Sequence, residues 1–457
     1  MKSLRRWIPL FLTTTLLAGC GVGGTTTGLS TKSMSPKREN FFSKMVNPAY
    51  LKEVNQQIIA VTQPGQTLSV PGAKEVERLP YGAMQLVLFQ VEENRNRDQV
   101  MGMLAQNPGV QTAQPNVLLQ PQDTLDRSRQ PKDEMMPMQW ALPKMQASEG
   151  WQATRGRKNV VVAVLDTGID YTHPEFEGRL IKGPNFAWVP PAPVPPGLPP
   201  RPPAGPFPEP KGPDDPLDDV GHGTHVAGII AAAADGKGIV GVAPNVTIMA
   251  IKVLGKQGGS FWSIAQGVQY AYRNGAQVIN MSLGGIAPAE TLGNFDLLAM
   301  MCEEARRQGS LVVAAAGNDG LDMELLQRTG KRVAPAMFPT VLSVGATRED
   351  DSLAPFSNRG RPLGLTAPGY RILSTTPSYP TPMSQQGMSP YYDTMSGTSM
   401  AAPYAAGLAA LLFSAHPDWT PDQVEARMRE SADDLGNPGR DDTYGAGRIN
   451  VMKALAP

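Results

Sequence analysis

Three stretches far apart in the chain carry an acid, an imidazole and a hydroxyl in settings that suit catalysis. Asp166 follows the apolar run 160–165, His222 lies between two glycines, and Ser399 follows small residues. A serine hydroxyl is a poor nucleophile near neutral pH unless a base takes its proton. A histidine can be that base, and a carboxylate can hold its imidazole in the right tautomer. Together the three residue types predict nucleophilic attack on a carbonyl group.

The stretch around Ser399 predicts a tight turn that opens a helix. Gly397 precedes the pair Thr398-Ser399, and an apolar segment runs from Tyr404 to Phe413. Pro403 fits the first turn of such a helix, where its missing N–H has no partner to lose. The helix N-terminus supplies unpaired N–H groups and a positive dipole end, which suit a developing oxyanion. Taken alone, the stretch also fits an ordinary helix start with serine as its N-cap.

Asp166 and His222 each lie where an element of secondary structure is expected to end or begin. The continuous apolar run 160–165 predicts a buried parallel strand with Asp166 at its carboxyl end. Catalytic groups of open α/β sheets gather at that edge. His222 opens a second helix of small residues, and His225 lies one turn further along. The order Asp, His, Ser is one of three chain orders found in hydrolytic triads.

With these three motifs in this order, residues 139–455 resemble the subtilisin-like serine peptidase family. The resemblance implies an α/β fold in three layers, with a mostly parallel central sheet and helices on both faces, preceded by a small α+β propeptide domain. It implies a serine endopeptidase that hydrolyses protein or peptide substrates through an acyl-enzyme intermediate, with no catalytic metal. Asp166, His222 and Ser399 match the family's triad, and His225 matches a structural histidine.

Further positions match the family's oxyanion hole and substrate-binding strands. Asn318 matches the oxyanion-hole residue, although its Asn-Asp-Gly sequence alone would predict only a turn. Glycines beside a bound peptide let the two backbones approach closely. The positions implied for substrate binding are Gly258, Gly259 and Phe261 on one side and Ser282, Leu283 and Gly284 on the other. The alternative for Phe261 is a place in the core of the following helix.

The resemblance also implies a structural calcium ion. Gln139, Glu175 and Asp235 match ligand positions of the family's strong site. The carbonyl groups of Ala233, Lys237 and Ile239 would complete a shell of oxygen ligands of the kind calcium prefers. Two features depart from the family pattern, because Glu175 replaces the more usual Asp and Lys237 lies inside the loop.

The N-terminus predicts export. Lys2, Arg5 and Arg6 precede the apolar stretch Trp7–Ala18, which is typical of a signal peptide. The sequence up to Cys20 resembles a bacterial lipoprotein box, whose cysteine is lipidated; an ordinary signal peptide with a chance cysteine is the alternative. We therefore expect a precursor anchored to a membrane through lipid on Cys20, and a mature enzyme at the cell surface or outside the cell.

The segment before the peptidase-like region predicts a small α+β domain. Residues 57–62, 84–91 and 110–119 have strand patterns, and residues 98–106 have a helical one. Residues 107–116 are similar to the end of the family's propeptide, which implies that the enzyme's own propeptide acts as an intramolecular inhibitor. The alternative is an unrelated binding module of the same size.

The whole chain divides into five predicted parts. These are a lipoprotein signal peptide (1–19), a flexible tether (20–40), a propeptide inhibitor-like domain (41–120), a processing linker (121–137) and a peptidase domain (138–457). Residues 190–216 contain fourteen prolines, which predicts an extended insertion (189–216) within the peptidase domain. The insertion is either a surface loop or a recognition arm for aromatic grooves.

Composition excludes several other functions. The 457-residue chain has no net formal charge, which gives no sign of a nucleic-acid partner. Its two cysteines, Cys20 and Cys302, exclude a disulfide scaffold.

Two alternative functions are a catalytically inactive surface adhesin on the same fold and an esterase of the α/β-hydrolase type. The complete set of matched catalytic positions argues against the adhesin, and an esterase would place its serine before the acid and the histidine.

Overall fold

The protein is organised around a sheet of seven parallel strands. The computed structural model describes residues 47–121, 124–125, 135–189, 207–288 and 296–457. In spatial order the strands are β16 (Leu365–Pro368), β15 (Val341–Thr347), β13 (Leu311–Ala315), β11 (Val278–Met281), β7 (Val161–Asp166), β9 (Thr247–Lys252) and β8 (Leu180–Asn185). β7 lies where the strand order turns to run in opposite directions, which is the usual location of ligands in such sheets.

The continuous apolar sequence of β7 is explained by burial on both faces. Val162 and Val164 point into one layer of the core, whereas Ala163 and Leu165 point into the other. Successive side chains of a strand alternate between faces, so a strand covered on both sides needs apolar residues throughout.

Helices cover both faces of the sheet. One layer holds α3 (Ala141–Lys144), α4 (Ala147–Gly150), α5 (His222–Ala231), α9 (Thr398–Ala415), α10 (Pro421–Glu430) and α11 (Val451–Leu455). The other layer holds α6 (Phe261–Arg273) and α7 (Leu297–Arg307). This arrangement confirms the predicted three-layer α/β fold. A short helix, α8 (Met323–Arg328), packs against β14 (Lys331–Ala334), which is the last strand of a separate four-stranded sheet.

Residues 47–116, which we call the N-terminal unit, form a separate antiparallel sheet with helices. Its elements are α1 (Pro48–Asn55), β1 (Gln57–Thr62), β2 (Ala73–Tyr81), β3 (Met84–Val91), α2 (Arg97–Ala105) and β4 (Val110–Pro115). The sheet order is β2-β3-β1-β4. One face packs against α2, and the other contributes Ile59, Val61, Leu86 and Leu88 to the layer that holds α6 and α7.

Side chains of the N-terminal unit bind the first turns of α6 and α7. Asn116 Oδ1 accepts a hydrogen bond from the N–H of Trp262 at 3.1 Å, and Gln114 Oε1 accepts one from the N–H of Leu297 at 2.8 Å. Glu77 adds two bonds to α6, one of them from the indole of Trp262 at 2.6 Å. The first N–H groups of a helix lack partners within the helix, and Asn116 and Gln114 each satisfy one of them.

The chain then leaves this unit and enters two other sheets. The predicted strand 110–119 is wrong in its extent, because β4 ends at Pro115 and a new strand, β5 (Leu118–Pro121), follows. β5 lies between β10 (Gly259–Ser260) and β12 (Leu283–Pro288) and runs antiparallel to both. Next, β6 (Thr124–Leu125) pairs with β18 (Tyr391–Ser396), whose other neighbour is β17 (Ile372–Thr376).

One described helix, α9, is long and apolar enough to cross a membrane, but 94% of it is buried inside the protein. Seven of its eighteen residues are alanine, so other elements can approach its backbone closely. Its apolar character is therefore explained by its place in the core.

Candidate active site

Asp166 and His222 meet at the carboxyl edge of the central sheet. Asp166 is the last residue of β7, and His222 is the first residue of α5. His222 Nδ1 lies 2.6 Å from Asp166 Oδ1, and both side chains are fully buried. An ionised carboxylate can only accept, so the proton is on Nδ1 and the lone pair is on Nε2. In this tautomer the imidazole can accept a proton at Nε2.

A glycine permits the close approach of α5 to β7. A Cβ atom at Gly223 would lie 2.1 Å from the carbonyl oxygen of Gly168 and 3.1 Å from Cβ of Asp166. The first of these distances is shorter than any contact of a real Cβ atom, and the atom in the way belongs to the backbone. Gly223 is therefore needed for the contact between His222 and Asp166.

Asp218 organises the loop that leads into His222, and it was missed from the sequence. Its Oδ1 accepts hydrogen bonds from Thr167 Oγ1 and from the N–H groups of Val220 and Gly221, while Oδ2 accepts from the N–H and Oγ1 of Thr224. Burial raises the pKa of Asp218, an effect opposed by Lys252 and by these hydrogen bonds. An acid four residues before a helix that opens with histidine was the available signal.

Thr167 completes the link between the two elements. Its hydroxyl donates to Asp218 at 2.8 Å and accepts from the N–H of Gly223 at 2.9 Å. Its own N–H donates to Asp166 Oδ1 at 2.7 Å. The same carboxylate oxygen that faces His222 is thus held by the backbone of its own loop.

A buried cation lies beside this network. Lys252 ends β9 in register with Asp166, is 2% exposed, and donates from Nζ to Asp219 Oδ1 at 2.6 Å and to the carbonyl oxygen of Thr167. Because a buried charge without a partner is very unfavourable, Lys252 and Asp219 hold each other in place. Neither Lys252 nor Asp219 was predicted from the sequence.

Ser399 is the second residue of α9, and two hydrogen bonds join it to Ser282. Ser399 Oγ donates to the carbonyl oxygen of Ser282 at 3.0 Å, and Ser282 Oγ donates to the carbonyl oxygen of Ser399 at 2.8 Å. Ser399 is fully buried beneath the rest of the chain. The prediction for Pro403 is wrong, because it is the sixth residue of α9 and lies beyond the first turn.

The side-chain amide of Asn318 is held in one orientation. Its Oδ1 accepts from both the N–H and the hydroxyl of Thr398 at 2.9 Å. Both donors must face oxygen, so the NH₂ group points the other way. Within the described part of the chain, Asn318 Nδ2 is buried without a hydrogen-bond partner. A buried, unpaired donor on a side chain bound to Thr398, the residue before Ser399, is suited to an oxygen that becomes negatively charged.

The predicted substrate-binding residues flank β5. Gly259 pairs with Leu119 on one side, while Leu283 and Gly284 pair with Pro121 and Gln120 on the other. A Cβ atom at Gly258 would lie 2.7 Å from the carbonyl oxygen of Leu119. These glycines therefore make room for an added strand.

Phe261 is a core residue, as one of its two predicted alternatives has it, and its place in a substrate pocket stays a prediction. It is fully buried at the start of α6 and belongs to the same apolar cluster as Leu119 of β5 and Ile264. Its N–H donates to the carbonyl oxygen of Val117 at 2.6 Å. The residue is thus part of the core and also contacts the segment that leads into β5.

The remaining histidines have structural contacts. His225 Nε2 lies 3.1 Å from the carbonyl oxygen of Asp393, and burial, with His222 nearby, lowers the pKa of His225 to about 3. His173 Nε2 lies 3.1 Å from the carbonyl oxygen of Tyr391. His416 stacks on Trp419 with ring centroids 3.8 Å apart.

The predicted calcium ligands surround the loop 233–240, but hydrogen bonds already engage their oxygens. Glu175 accepts from the N–H groups of Ala233 and Ile239 at 2.8 and 3.2 Å and from the hydroxyl of Tyr392 at 2.8 Å. Asp235 accepts from the N–H of Lys237 at 3.0 Å. The loop residues predicted to offer carbonyl oxygens thus direct their N–H groups at the carboxylates.

Gln139 is engaged in the same way, by the backbone at the end of this loop. Its Oε1 and Nε2 pair with the N–H and carbonyl of Val240, both at 2.9 Å. Among the described residues, no group of three or more His, Cys, Asp or Glu side chains is arranged to hold a metal ion. The calcium site stays a prediction from the sequence.

Two predicted features lie wholly or mostly outside the described residues. The lipidation site Cys20 lies outside the described residues, as does most of the proline-rich insertion. Cys302 is a buried free thiol whose pKa is raised by burial, which suits a packed side chain.

Comparison with known proteins places the chain in a family. The family model described as "Subtilase family", peptidase S8, matches residues 157–447. The chain is 35% identical over 373 residues to a thermophilic serine proteinase of Bacillus sp. (strain AK1), covering 80% of this chain and 78% of that protein. It is 36% identical over 316 residues to Subtilisin Savinase of Lederbergia lenta, covering 69% of this chain and 97% of that one.

A solved structure is similar over most of the chain. Fervidolysin from Fervidobacterium pennivorans, described as a keratinolytic enzyme related to subtilisin, superposes with a TM-score of 0.68 at 25% identity. The match covers 89% of this chain and 61% of that one. The fold and these relatives together define a serine endopeptidase. The chain belongs to the subtilase family, peptidase S8.

Proposed function

We propose that this endopeptidase is made as a precursor that cleaves itself, with Ser399 as nucleophile, His222 as general base and Asp166 as the residue that orients His222. The 2.6 Å contact between Asp166 Oδ1 and His222 Nδ1 is the main support for these roles. Ser399 Oγ attacks the scissile carbonyl carbon while its proton passes to His222 Nε2. Asp166 stabilises the imidazolium that results.

The tetrahedral intermediate then collapses and releases the amine. His222 returns its proton to the leaving nitrogen, and the acyl group stays on Ser399 Oγ. A water molecule, deprotonated by the same imidazole, hydrolyses the ester and regenerates the serine. Asn318 Nδ2 donates to the oxyanion in both steps, because Thr398 holds the amide oxygen and leaves the NH₂ group available.

Substrate binds as an added strand between β10 and β12, where β5 lies in this chain. Main-chain hydrogen bonds of this kind accept many sequences, since they involve no side chain. β5 therefore occupies the substrate site, and the N-terminal unit acts as an inhibitor that holds it there. Its contacts with the first turns of α6 and α7 add to this binding.

The processed bond lies between Pro121 and Thr124. Pro121 pairs with Leu283, which adjoins the residue in contact with Ser399 Oγ, and Thr124 pairs with Ser396, three residues before the nucleophile. These two pairings, one on each side of Ser399 along the chain path, support cleavage between the paired segments. We expect the first product of maturation to begin at residue 122, 123 or 124, as measured by N-terminal sequencing at early times. A first N-terminus beyond residue 124 would contradict the assignment.

The triad assignment is tested with Ser399→Ala. A fluorophosphonate probe should label the wild-type enzyme on the peptide that contains Ser399, and Ser399→Ala should remain an unlabelled, full-length precursor. The Ser414→Ala variant is a matched control, since this buried serine lies at the far end of the same helix. Casein cleavage or unaided maturation by pure Ser399→Ala would contradict the proposal.

Processing at this point would separate the lipid from the enzyme. Cys20 precedes the N-terminal unit, so the lipid anchor stays on the inhibitor fragment, and degradation of that fragment releases a soluble enzyme. Cell fractionation followed by N-terminal sequencing tests this, with Cys20→Ser as the unanchored control. Active enzyme that stays in the detergent phase with lipidated Cys20 would rule it out.

A further inference from the structure

The position of Pro403 leaves one particular carbonyl group without its helical partner. In an α-helix the N–H of residue i bonds to the carbonyl of residue i−4, so the partner lost at Pro403 is the carbonyl of Ser399. A proline ring at this position also crowds that same carbonyl. Near the backbone of the proposed nucleophile, the helix α9 therefore has one hydrogen bond fewer of the i to i−4 type than an uninterrupted helix.

A side chain from another element takes the place of the missing N–H. Ser282 Oγ donates to the carbonyl oxygen of Ser399 at 2.8 Å. Asn280 Nδ2 donates to Ser282 Oγ at 2.9 Å. A serine hydroxyl has a single proton, and accepting from Asn280 directs that proton towards Ser399. Asn280, Ser282 and Ser399 are all fully buried.

We propose that Asn280 and Ser282 are positioning residues that hold the first turn of α9 in place of the hydrogen bond removed by Pro403. Asn280 belongs to β11, and Ser282 joins β11 to the substrate-binding strand β12. The bond therefore fixes Ser399 relative to the strand that aligns the substrate. Neither side chain takes part in the chemistry, and both act through the place of Ser399. This inference rests on Ser399 being the nucleophile.

A displaced nucleophile should affect turnover more than binding. We expect Ser282→Ala to lower kcat about tenfold with little change in KM, the loss expected when one buried acceptor is left unpaired. The main-chain carbonyl of Ser282, which accepts from Ser399 Oγ, remains in this variant. Active-site titration with a fluorophosphonate counts the competent molecules, so a smaller folded fraction does not imitate a lower kcat.

The decisive test combines this variant with Pro403→Ala. In the P403A background residue 403 has an N–H that can bond to the carbonyl of Ser399, so Ser282→Ala should cost less than about threefold there. Such non-additivity is specific to the replacement of one hydrogen bond by another. A purely structural role for Ser282 would give the same loss in both backgrounds.

A second variant and a second readout keep the test informative if Ser282→Ala matures poorly. Asn280→Ala should also lose less in the P403A background, because Asn280 acts through Ser282. Self-cleavage of the purified precursor provides a rate that does not involve KM. Equal losses in both backgrounds, or losses confined to KM, would overturn the inference. Activity in Ser399→Ala would instead overturn the proposed function on which it rests.

Discussion

Asp218→Asn tests how His222 is held at the start of α5. Three donors converge on Asp218 Oδ1, and two from Thr224 converge on Oδ2. Asparagine can keep the first three with its oxygen, but its NH₂ group then faces Thr224. The Thr224 hydroxyl can turn and accept, because it is free to rotate, whereas the Thr224 N–H cannot. One buried main-chain donor is therefore left opposed by another donor.

The expected loss of stability is about 3 kcal/mol. An unpaired buried donor costs about 1–3 kcal/mol, and a hydrogen bond to a charged group contributes about 1.5–3 kcal/mol. For a chain of this size that loss lowers the melting temperature by about 3–4 °C, using the average unfolding entropy per residue. We expect kcat to fall as well, because the Thr224 N–H lies in the first turn of the helix that begins with His222.

The measurement is a thermal melt in the Ser399→Ala background, where self-digestion cannot contribute. Asp418→Asn, the same substitution at an exposed residue, is the control and should leave the melting temperature unchanged. Turnover is then compared in the active enzyme. If Asp218→Asn leaves the melting temperature of Ser399→Ala unchanged and the active enzyme keeps its kcat, the five hydrogen bonds do not support His222 in the way described.

Three further predictions concern the oxyanion donor, a buried acid and calcium. Asn318→Ala should lower kcat by about 10²–10³, the loss known for the corresponding donor in subtilisin, with KM little changed; unchanged turnover would remove Asn318 from the oxyanion hole. Burial raises the pKa of Asp296 from 3.8 to about 6. The folded state therefore binds this proton more tightly than the unfolded state does, and stability falls as pH rises from about 4 to 6. Asp296→Asn should remove up to about 3 kcal/mol of that fall, and melts with the same pH dependence as the wild type would refute it. The calcium site predicted at Gln139, Glu175 and Asp235 should give Ser399→Ala a higher melting temperature in millimolar calcium than in chelator, because the ion would bind only the folded state; equal melting in the two conditions would count against the site.

Features that depend on neighbours along the chain were predictable from the sequence. The strands 57–62 and 84–91 have the predicted bounds, because their apolar residues and flanking turns are local signals. β2 was missed, since four of its nine residues are charged and it lies at the edge of its sheet. An edge strand exposed to solvent lacks the apolar pattern that reveals a buried one.

The tertiary structure decided which of the chemically able residues are brought together. The sequence determined the residue types, their order, and the strand and helix that present Asp166 and His222. It could not determine that Asp218 binds the loop before His222 or that Ser282 bonds to the carbonyl of Ser399. Nor could it determine that the strand β4 ends at Pro115, after which the chain forms β5 between β10 and β12. Each of these rests on partners that are distant in sequence or on exact backbone direction. Local patterns determine what an element is, whereas hydrogen bonds between distant elements exist only once the core has packed.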